Sequence, residues 1–218
     1  MKTAIFVPIK LNSQRLKNKM VLPIGKKLLC QHIFNTLINV KKNLNIDVDV
    51  YCFCSDEKIK EYLPNDIIFI KRDSSLDSNE TKGIDIYNSF TNIVDSDIYC
   101  LCHATSPFIK MESIIKGLNK LINEDYDSSF SVSKLQTFTW FKNKPLNYDF
   151  TNVVRTQEIE PIFWETSAFY IFKKEILKKH KRRIGFKSFM VETDKVESID
   201  IDNIEDYELA RHISNNAD

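Results

Sequence analysis

A short apolar run that stops at a basic, acid-free loop most constrains what this chain can fold into. Ala4 to Ile9 (AIFVPI) has the length and partly β-branched character of a strand buried in a sheet. The loop behind it carries Lys10, Asn12, Ser13, Arg15, Lys17 and Lys19. Open α/β sheets place their ligands at the carboxyl ends of strands, and this loop leaves such an end. Four cations with amide and hydroxyl donors, and no carboxylate among them, suit a polyphosphate. Each cation about 4 Å from a phosphate is worth roughly 4 kcal/mol near a protein surface, before desolvation is counted. The alternative is a solvated basic loop.

Charge distribution supports the ligand reading. Nine Lys or Arg and no Asp or Glu precede Asp47, while the remainder holds 22 basic and 30 acidic residues. A basic end can mark a nucleic-acid binder, but these cations gather around one loop and no nucleic-acid motif follows. A small polyanion is the better partner. No apolar run approaches the roughly 20 residues of a membrane span. The short run before Lys10 has no small-residue cleavage site, so it is read as a strand and not a signal peptide. The expected compartment is the cytoplasm, with no membrane partner. Five cysteines fit a reducing compartment. Cys52/Cys54 and Cys100/Cys102 form C-x-C pairs in strand-like runs, where period two puts both thiols of a pair on one face. Core packing is the favoured reading; a four-thiolate zinc site is the alternative.

The chain, at 218 residues, reads as a single domain over 1–218. That length buries roughly 70–75% of its unfolded surface without staples. Leu29, Ile33, Leu37, Val40 and Leu44 mark one face of an amphipathic helix. Strands follow near 48–54, 67–71, 97–103 and 128–135. A short helix is expected near 56–62, and longer ones around Ile84–Val94 and Ile114–Ile122. Arg72 to Gly83 is a polar loop. An aromatic-rich stretch with Phe138, Trp140, Phe141, Tyr148, Phe150, Phe163 and Trp164 has no clean period; it packs either within the chain or at an interface. In SIDID (198–202), strand alternation puts Asp200 and Asp202 on one face and Ile199 and Ile201 on the other. Two such carboxylates, with substrate phosphates and waters, suffice for Mg²⁺. Alternatively Asp202 or Asn203 caps the helix that follows, with Glu205 and Asp206 in its first turn.

Four stretches, in order, resemble the acylneuraminate cytidylyltransferase (CMP-sialic acid synthetase) family and the related CMP-deoxy-octulosonate synthetases. In the first loop Pro8, Ser13, Arg15, Leu16 and Lys19 match. Lys10 stands for an Arg, Asn12 and Asn18 for glycines, and Met20 for an Asn. Thr105, Ser106 and Pro107 match a second motif, with His103 in place of Gln and Ala104 in place of Pro. Arg155, Gln157, Pro161, Ala168, Tyr170 and Phe172 match a third, with Thr166-Ser167 replacing Asn-Gly. SIDIDNIED matches the fourth, with Asn203 for Thr.

The resemblance implies a three-layer, Rossmann-like α/β nucleotidyltransferase with a mostly parallel mixed sheet and a dimerisation arm within about 136–165. It puts the first strand between the two C-x-C strands. It implies transfer of CMP from CTP to an acidic acceptor, such as a sialic, legionaminic or pseudaminic acid or deoxy-octulosonate, with release of pyrophosphate. Lys10, Asn12, Ser13, Arg15, Lys19, Arg72 and Ser78 would contact the nucleotide. His103, Thr105, Arg155, Gln157, Glu165 and Tyr170 would surround the acceptor. Asp200 and Asp202 would hold Mg²⁺, acting in catalysis with Arg15 and Lys19. The partners would be CTP, the acceptor and a second subunit, and the product would feed surface glycans. For Arg155 the plainer role is an ion pair with Glu158 or Glu160. A phosphonate acceptor, a glycosyltransferase with an Asp-x-Asp metal pair, and a non-catalytic nucleotide-binding module stand as alternatives.

Overall fold

The computed structural model describes residues 1–216. The first apolar run forms β1 (Lys2–Ile9), and Thr3 to Val7 are all buried. Helices cover both faces of its sheet, which is why the run shows no polar alternation. Two parallel neighbours lie on one side, β2 (Asp47–Cys54) beside β1 and β3 (Ile68–Lys71) at the edge. On the other side β1 pairs in parallel with β4 (Ile98–Cys102). Beyond it come β5 (Ser128–Leu135) and β6 (Ile162–Lys173), with β6 inserted antiparallel between β4 and β5. The far edge is β7 (Ser188–Thr193), parallel to β5. The seven strands lie in the order β7-β5-β6-β4-β1-β2-β3.

Period two then sorts the core into layers. Ile5, Val7 and Ile9 face α1 (Leu29–Asn43) and α3 (Met111–Asn123). Ala4 and Phe6 face the other side, where α2 (Gly83–Ile93) and α4 (Lys174–His180) pack. There Phe90 stacks on Phe6 with ring centroids 4.2 Å apart. A third, smaller cluster places α5 (Ile204–Asn215) against Ile24, Leu29 and Ile201. The expected three-layer mixed α/β architecture is present.

Three details differ from the sequence reading. Residues 198–202 belong to no strand; Ser198 and Ile199 close a turn on Asp194 and Val196, and the segment is then joined to the loop after β4 by Ile201 N–H donating to the Thr105 carbonyl at 2.8 Å. With one such bond and no neighbouring strand, alternation persists without a ladder. Phe163 and Trp164, placed in the aperiodic stretch, open β6 instead. A register shift between Glu165 and Tyr170 interrupts the alternation there and hides the strand. Leu44 lies just past the C-terminus of α1 as its cap.

The stretch before β6 is an arm. A small hairpin pairs Trp140–Phe141 with Lys144–Pro145. Its turn residues Lys142 and Asn143 have φ of 49° and 61°, as a type I′ turn requires. Asn147 ties the arm together: its Oδ1 accepts from Thr139, and its Nδ2 donates to the carbonyls of Thr137 and Glu160. Trp140, Phe141 and Phe150 stay exposed on this chain.

The cysteines are core residues. All five are free and buried. β1 separates the two C-x-C strands, so the pairs sit about 10 Å apart, too far to share one zinc ion. Burial raises the thiols of Cys30, Cys52, Cys54 and Cys100 above their ordinary range. We therefore expect native protein to react negligibly with a thiol reagent such as Ellman's over minutes, and all five thiols to titrate after denaturation. Rapid titration of two or more thiols in native protein would contradict this packing.

Candidate active site

The loop leaving β1 turns back at once, with Ser13 N–H bonded to the Leu11 carbonyl at 3.0 Å. It ends at Asn18, whose φ is 56°. That left-handed conformation suits glycine, and Asn tolerates it better than other side chains. Asn12 is not in this region, so of the two positions where glycine was expected only one demands its freedom. Lys10, Asn12, Ser13, Arg15 and Lys19 line a cavity of about 310 Å³ with Asn79 on its other wall. Asn79 Nδ2 donates to Gln14 Oε1 at 3.1 Å and so links the loop before α2 to the first loop.

The far end of the chain meets this loop. Lys19 is 5% exposed, and its Nζ lies 2.6 Å from the Ile201 carbonyl and 3.3 Å from Asp202 Oδ1. Arg15 Nη1 donates to Asp202 Oδ2 at 2.7 Å. Arg15 is largely exposed, so its pair adds at most about 1 kcal/mol. A buried Lys19 without partners would cost several kcal/mol. Asn203, not Asp202, caps α5. Its Oδ1 accepts from Asp206 N–H, and Asp206 Oδ2 accepts from the Asn203 and Asp202 N–H groups. The Asp202 carboxylate is thereby left to the cations.

Asp200 lies on the same side of the segment, while Ile201 is fully buried in the α5 cluster and Ile199 packs against it. Asp200 Oδ1 is buried without a hydrogen-bond partner. Burial raises its carboxyl above the usual range, and the Asp202 charge adds to this; the Thr105 side chain and Lys19 oppose it. A buried carboxylate oxygen without a partner, next to a second carboxylate, is an arrangement that a hard cation would satisfy. No group of three His, Cys, Asp or Glu gathers around a common point among the described residues. Any ion here would therefore need ligands from substrate or water.

The second wall comes from β4 and β6. His103 follows β4, and its N–H donates to the Ala168 carbonyl at 3.0 Å. Its ring stands 6.3 Å from that of Tyr170. Tyr170 OH donates to Glu165 Oε2 at 2.6 Å and lies 3.3 Å from Ser167 Oγ. Ser167 has φ 61°, the conformation a glycine would adopt freely at this bulge. Ser131 Oγ steadies the bulge, 2.7 Å from Thr166 Oγ1 and accepting from Phe169 N–H at 3.2 Å. Arg183, which the sequence reading passed over, lays its guanidinium 3.5 Å above the Tyr170 ring. Within the run KKHKRR nothing separated it from a solvated basic face.

His103 joins the two walls electrostatically. Burial and then the Arg183 charge push its imidazole down to about 4, against a backbone hydrogen bond at Ser167 and the Asp202 charge. At neutral pH it is a neutral hydrogen-bonding group.

Of the expected site residues, the structure gathers Lys10, Asn12, Ser13, Arg15, Lys19, Asp200 and Asp202 on one side. His103, Glu165 and Tyr170 lie on the other, and Thr105 stands between, its carbonyl bonded to Ile201 N–H and its side chain against Asp200. Arg72 is used internally: it is 3% exposed, donates to the Ile9 carbonyl at 3.0 Å and pairs with Asp77. Asp77 also accepts from Ser55 Oγ, and its carbonyl accepts from Lys10 Nζ. Arg72 thus braces the end of β1 and helps position Lys10. Ser78 Oγ accepts from Glu80 N–H at 3.2 Å, beside Asn79. Arg155 and Gln157 are not brought into the cluster; they sit exposed on the arm, where Arg155 pairs with Glu158 at 2.6 Å.

The depressed His103 imidazole sets an acid dependence. Unfolded, it takes a proton near 6.5; folded, it resists until about 4. Its contribution to stability is present above 6.5 and is lost as pH falls through 4. His103→Gln should flatten the fall of the urea midpoint between pH 6.5 and 4. Parallel profiles for the two proteins would remove His103 as the source.

The family model described as cytidylyltransferase matches residues 4–218. An N-acylneuraminate cytidylyltransferase of Streptococcus agalactiae is 22% identical over 216 residues, covering 95% of this chain and 52% of the relative. The chain thus spans about half the length of such curated relatives. Among solved structures, a CMP:2-keto-3-deoxy-manno-octonic acid synthetase complexed with CTP superposes with a TM-score of 0.71 at 13% identity, covering all of both chains. A 4-diphosphocytidyl-2C-methyl-D-erythritol synthase from Anaerococcus prevotii gives 0.66 at 12% identity over 97% of both. These two share the fold. With the family model spanning nearly its whole length, this chain belongs to the cytidylyltransferase family.

Proposed function

We propose that this chain transfers CMP from CTP to an acidic sugar, a nonulosonic acid or a related keto-sugar acid, and releases pyrophosphate. The observation that carries this reading is the junction of the acid-free first loop with Asp200 and Asp202 through Lys19. It sets a polyphosphate-sized basic cavity beside a carboxylate pair. The acceptor hydroxyl would attack the α-phosphorus in line as the bond to the β-phosphate oxygen breaks. Lys10, Arg15 and Lys19 would balance the charge that builds on the departing pyrophosphate. Lys19 is held by a backbone carbonyl and is the fixed cation. Arg15 is exposed and is the one able to exchange Asp202 for phosphate. His103, Thr105 and Tyr170 would orient the acceptor, so that positioning supplies much of the rate. Asp200 and Asp202 would hold Mg²⁺, which when bound supplies charge neutralisation at phosphate oxygens and acidifies an attacking hydroxyl.

On this reading the working form is a homodimer, with Trp140, Phe141 and Phe150 of the arm covered by a second copy. Such an interface would also supply neighbours for Arg155 and Gln157. No helix among the described residues is long and apolar enough to cross a membrane. The cytoplasm suits five unpaired thiols, and surface-glycan synthesis would use the product.

Three outcomes are expected. CTP with Mg²⁺ should raise the melting temperature where ATP, GTP and UTP do not; at about 100 times Kd the gain is roughly 2.7 kcal/mol. Equal shifts with all four nucleotides would remove the cytidine assignment. Asp200→Asn should fold at least as stably at pH 7, since burial already disfavours the charged carboxyl, yet lose about a hundredfold or more in pyrophosphate release. An active Asp200→Asn enzyme would refute the metal pair. Light scattering should return about twice the 25.6 kDa chain mass, falling to the monomer when Trp140 and Phe141 are both changed to Ser; a monomeric wild type would rule out the arm interface.

A further inference from the structure

We infer that Arg183 is a specificity-determining residue that grips the carboxylate of the acceptor, and that the acceptor is a monoanionic sugar acid and not a phosphonate. This rests on the cytidylyl-transfer reading above and names the group within the site that selects the second substrate.

Arg183 is built in place. It lies in the loop between α4 and β7, and that loop is clamped from behind. Gly185 N–H donates to Ser128 Oγ at 2.7 Å, while Phe186 and Lys187 N–H donate to Asp127 Oδ2 at 2.7 and 3.0 Å. A Cβ at Gly185 would run into the Asp127 carboxylate, so glycine is what allows this close approach. Ahead of the clamp the Arg183 guanidinium carbon lies 3.5 Å from the centre of the Tyr170 ring, and Nη1 donates to Tyr87 OH of α2 at 2.9 Å. The side chain is 31% exposed. A stacked guanidinium held at one end is pre-organised for a planar, two-oxygen partner.

Its present carboxylate partner is a weak one. Arg183 Nη2 is 3.5 Å from Glu165 Oε2, and that same oxygen already accepts the 2.6 Å bond from Tyr170 OH. An arginine has five N–H donors, and Arg183 makes one hydrogen bond among the described residues. Donors therefore remain for a ligand. The position suits the acceptor: Arg183 covers the Tyr170 ring, the His103 ring stands 6.3 Å from it, and Thr105, two residues on from His103, accepts from the Ile201 N–H between the two aspartates.

Charge then sets the class. Beside Tyr170, one guanidinium faces one carboxylate, and His103 brings no proton at neutral pH. Every negative charge a ligand brings here adds to that of Glu165, so a monoanion is opposed least. A phosphonate dianion would meet Glu165 with a single cation to balance it.

The test uses full-length protein with saturating CTP and Mg²⁺. The probes are three 2-keto sugar acids (N-acetylneuraminate, a di-N-acyl nine-carbon acid and 2-keto-3-deoxyoctonate), the methyl ester of each, and 2-aminoethylphosphonate. Binding is read by calorimetry and turnover by pyrophosphate release. Wild type should bind at least one acid tenfold or more tightly than its ester. In Arg183→Met that preference should collapse to within about twofold, with acceptor KM up ten- to a hundredfold and the CTP-induced melting shift unchanged. Arg183→Lys should recover part of the preference. A structural role alone would move CTP and acceptor together and leave the acid-to-ester ratio intact, which overturns the inference. So does tighter binding of the phosphonate, or CTP binding with no acid bound at millimolar concentration. Failure to bind CTP overturns the cytidylyl-transfer reading itself.

Discussion

The buried ammonium of Lys19 is the constraint on which the rest of the site depends. A lysine this enclosed must have oxygen partners, and in this chain they come from Ile201 and Asp202, more than 180 residues away. That demand locks the loop after β1 to the segment before α5. It fixes where Asp202 lies and turns Asp200 towards Thr105. Capping of α5 by Asn203 completes the arrangement, because it satisfies the helix terminus without spending the Asp202 carboxylate.

Around this junction the charged groups divide their labour. Arg72 and Asp77 form an inner brace at the end of β1, leaving Lys10, Arg15 and Lys19 along the cavity. On the second wall a bulge in β6 brings Glu165, Ser167 and Tyr170 to the mouth of the sheet, and Arg183 closes over them. His103 lies between the two groups and stays neutral because burial and Arg183 outweigh Asp202. One side of the site sets Lys10, Arg15 and Lys19 against Asp200 and Asp202, and the other sets Arg183 against Glu165.

Much of this was legible from residue type and spacing. The family resemblance, not spacing, marked three positions where glycine is usual, and two of them, Asn18 and Ser167, have positive φ. The C-x-C pairs read as core because period two buries both thiols, and the fold sets β1 between them. The alternation in SIDID sorted its isoleucines from its aspartates even though no strand forms there. Other features were hidden. The start of β6 was masked by its own bulge. Arg72, which the resemblance set against the nucleotide, turns inward to Ile9 and Asp77, and a polar loop gives no sign of that.

The sequence by itself determined the amphipathic helices, the buried strands, the acid-free loop and the aspartate pair, since each depends on short-range periodicity or on the chemistry of adjacent side chains. Tertiary structure alone decided which cations face which carboxylates. Lys19 with Asp202, Arg72 with Ile9, and Arg183 with Tyr170 and Tyr87 are contacts between segments whose separation along the chain carries no periodic signal. Whether an arginine is a brace, a ligand or a solvated charge depends on what burial removes from around it, and burial is a property of the packed chain.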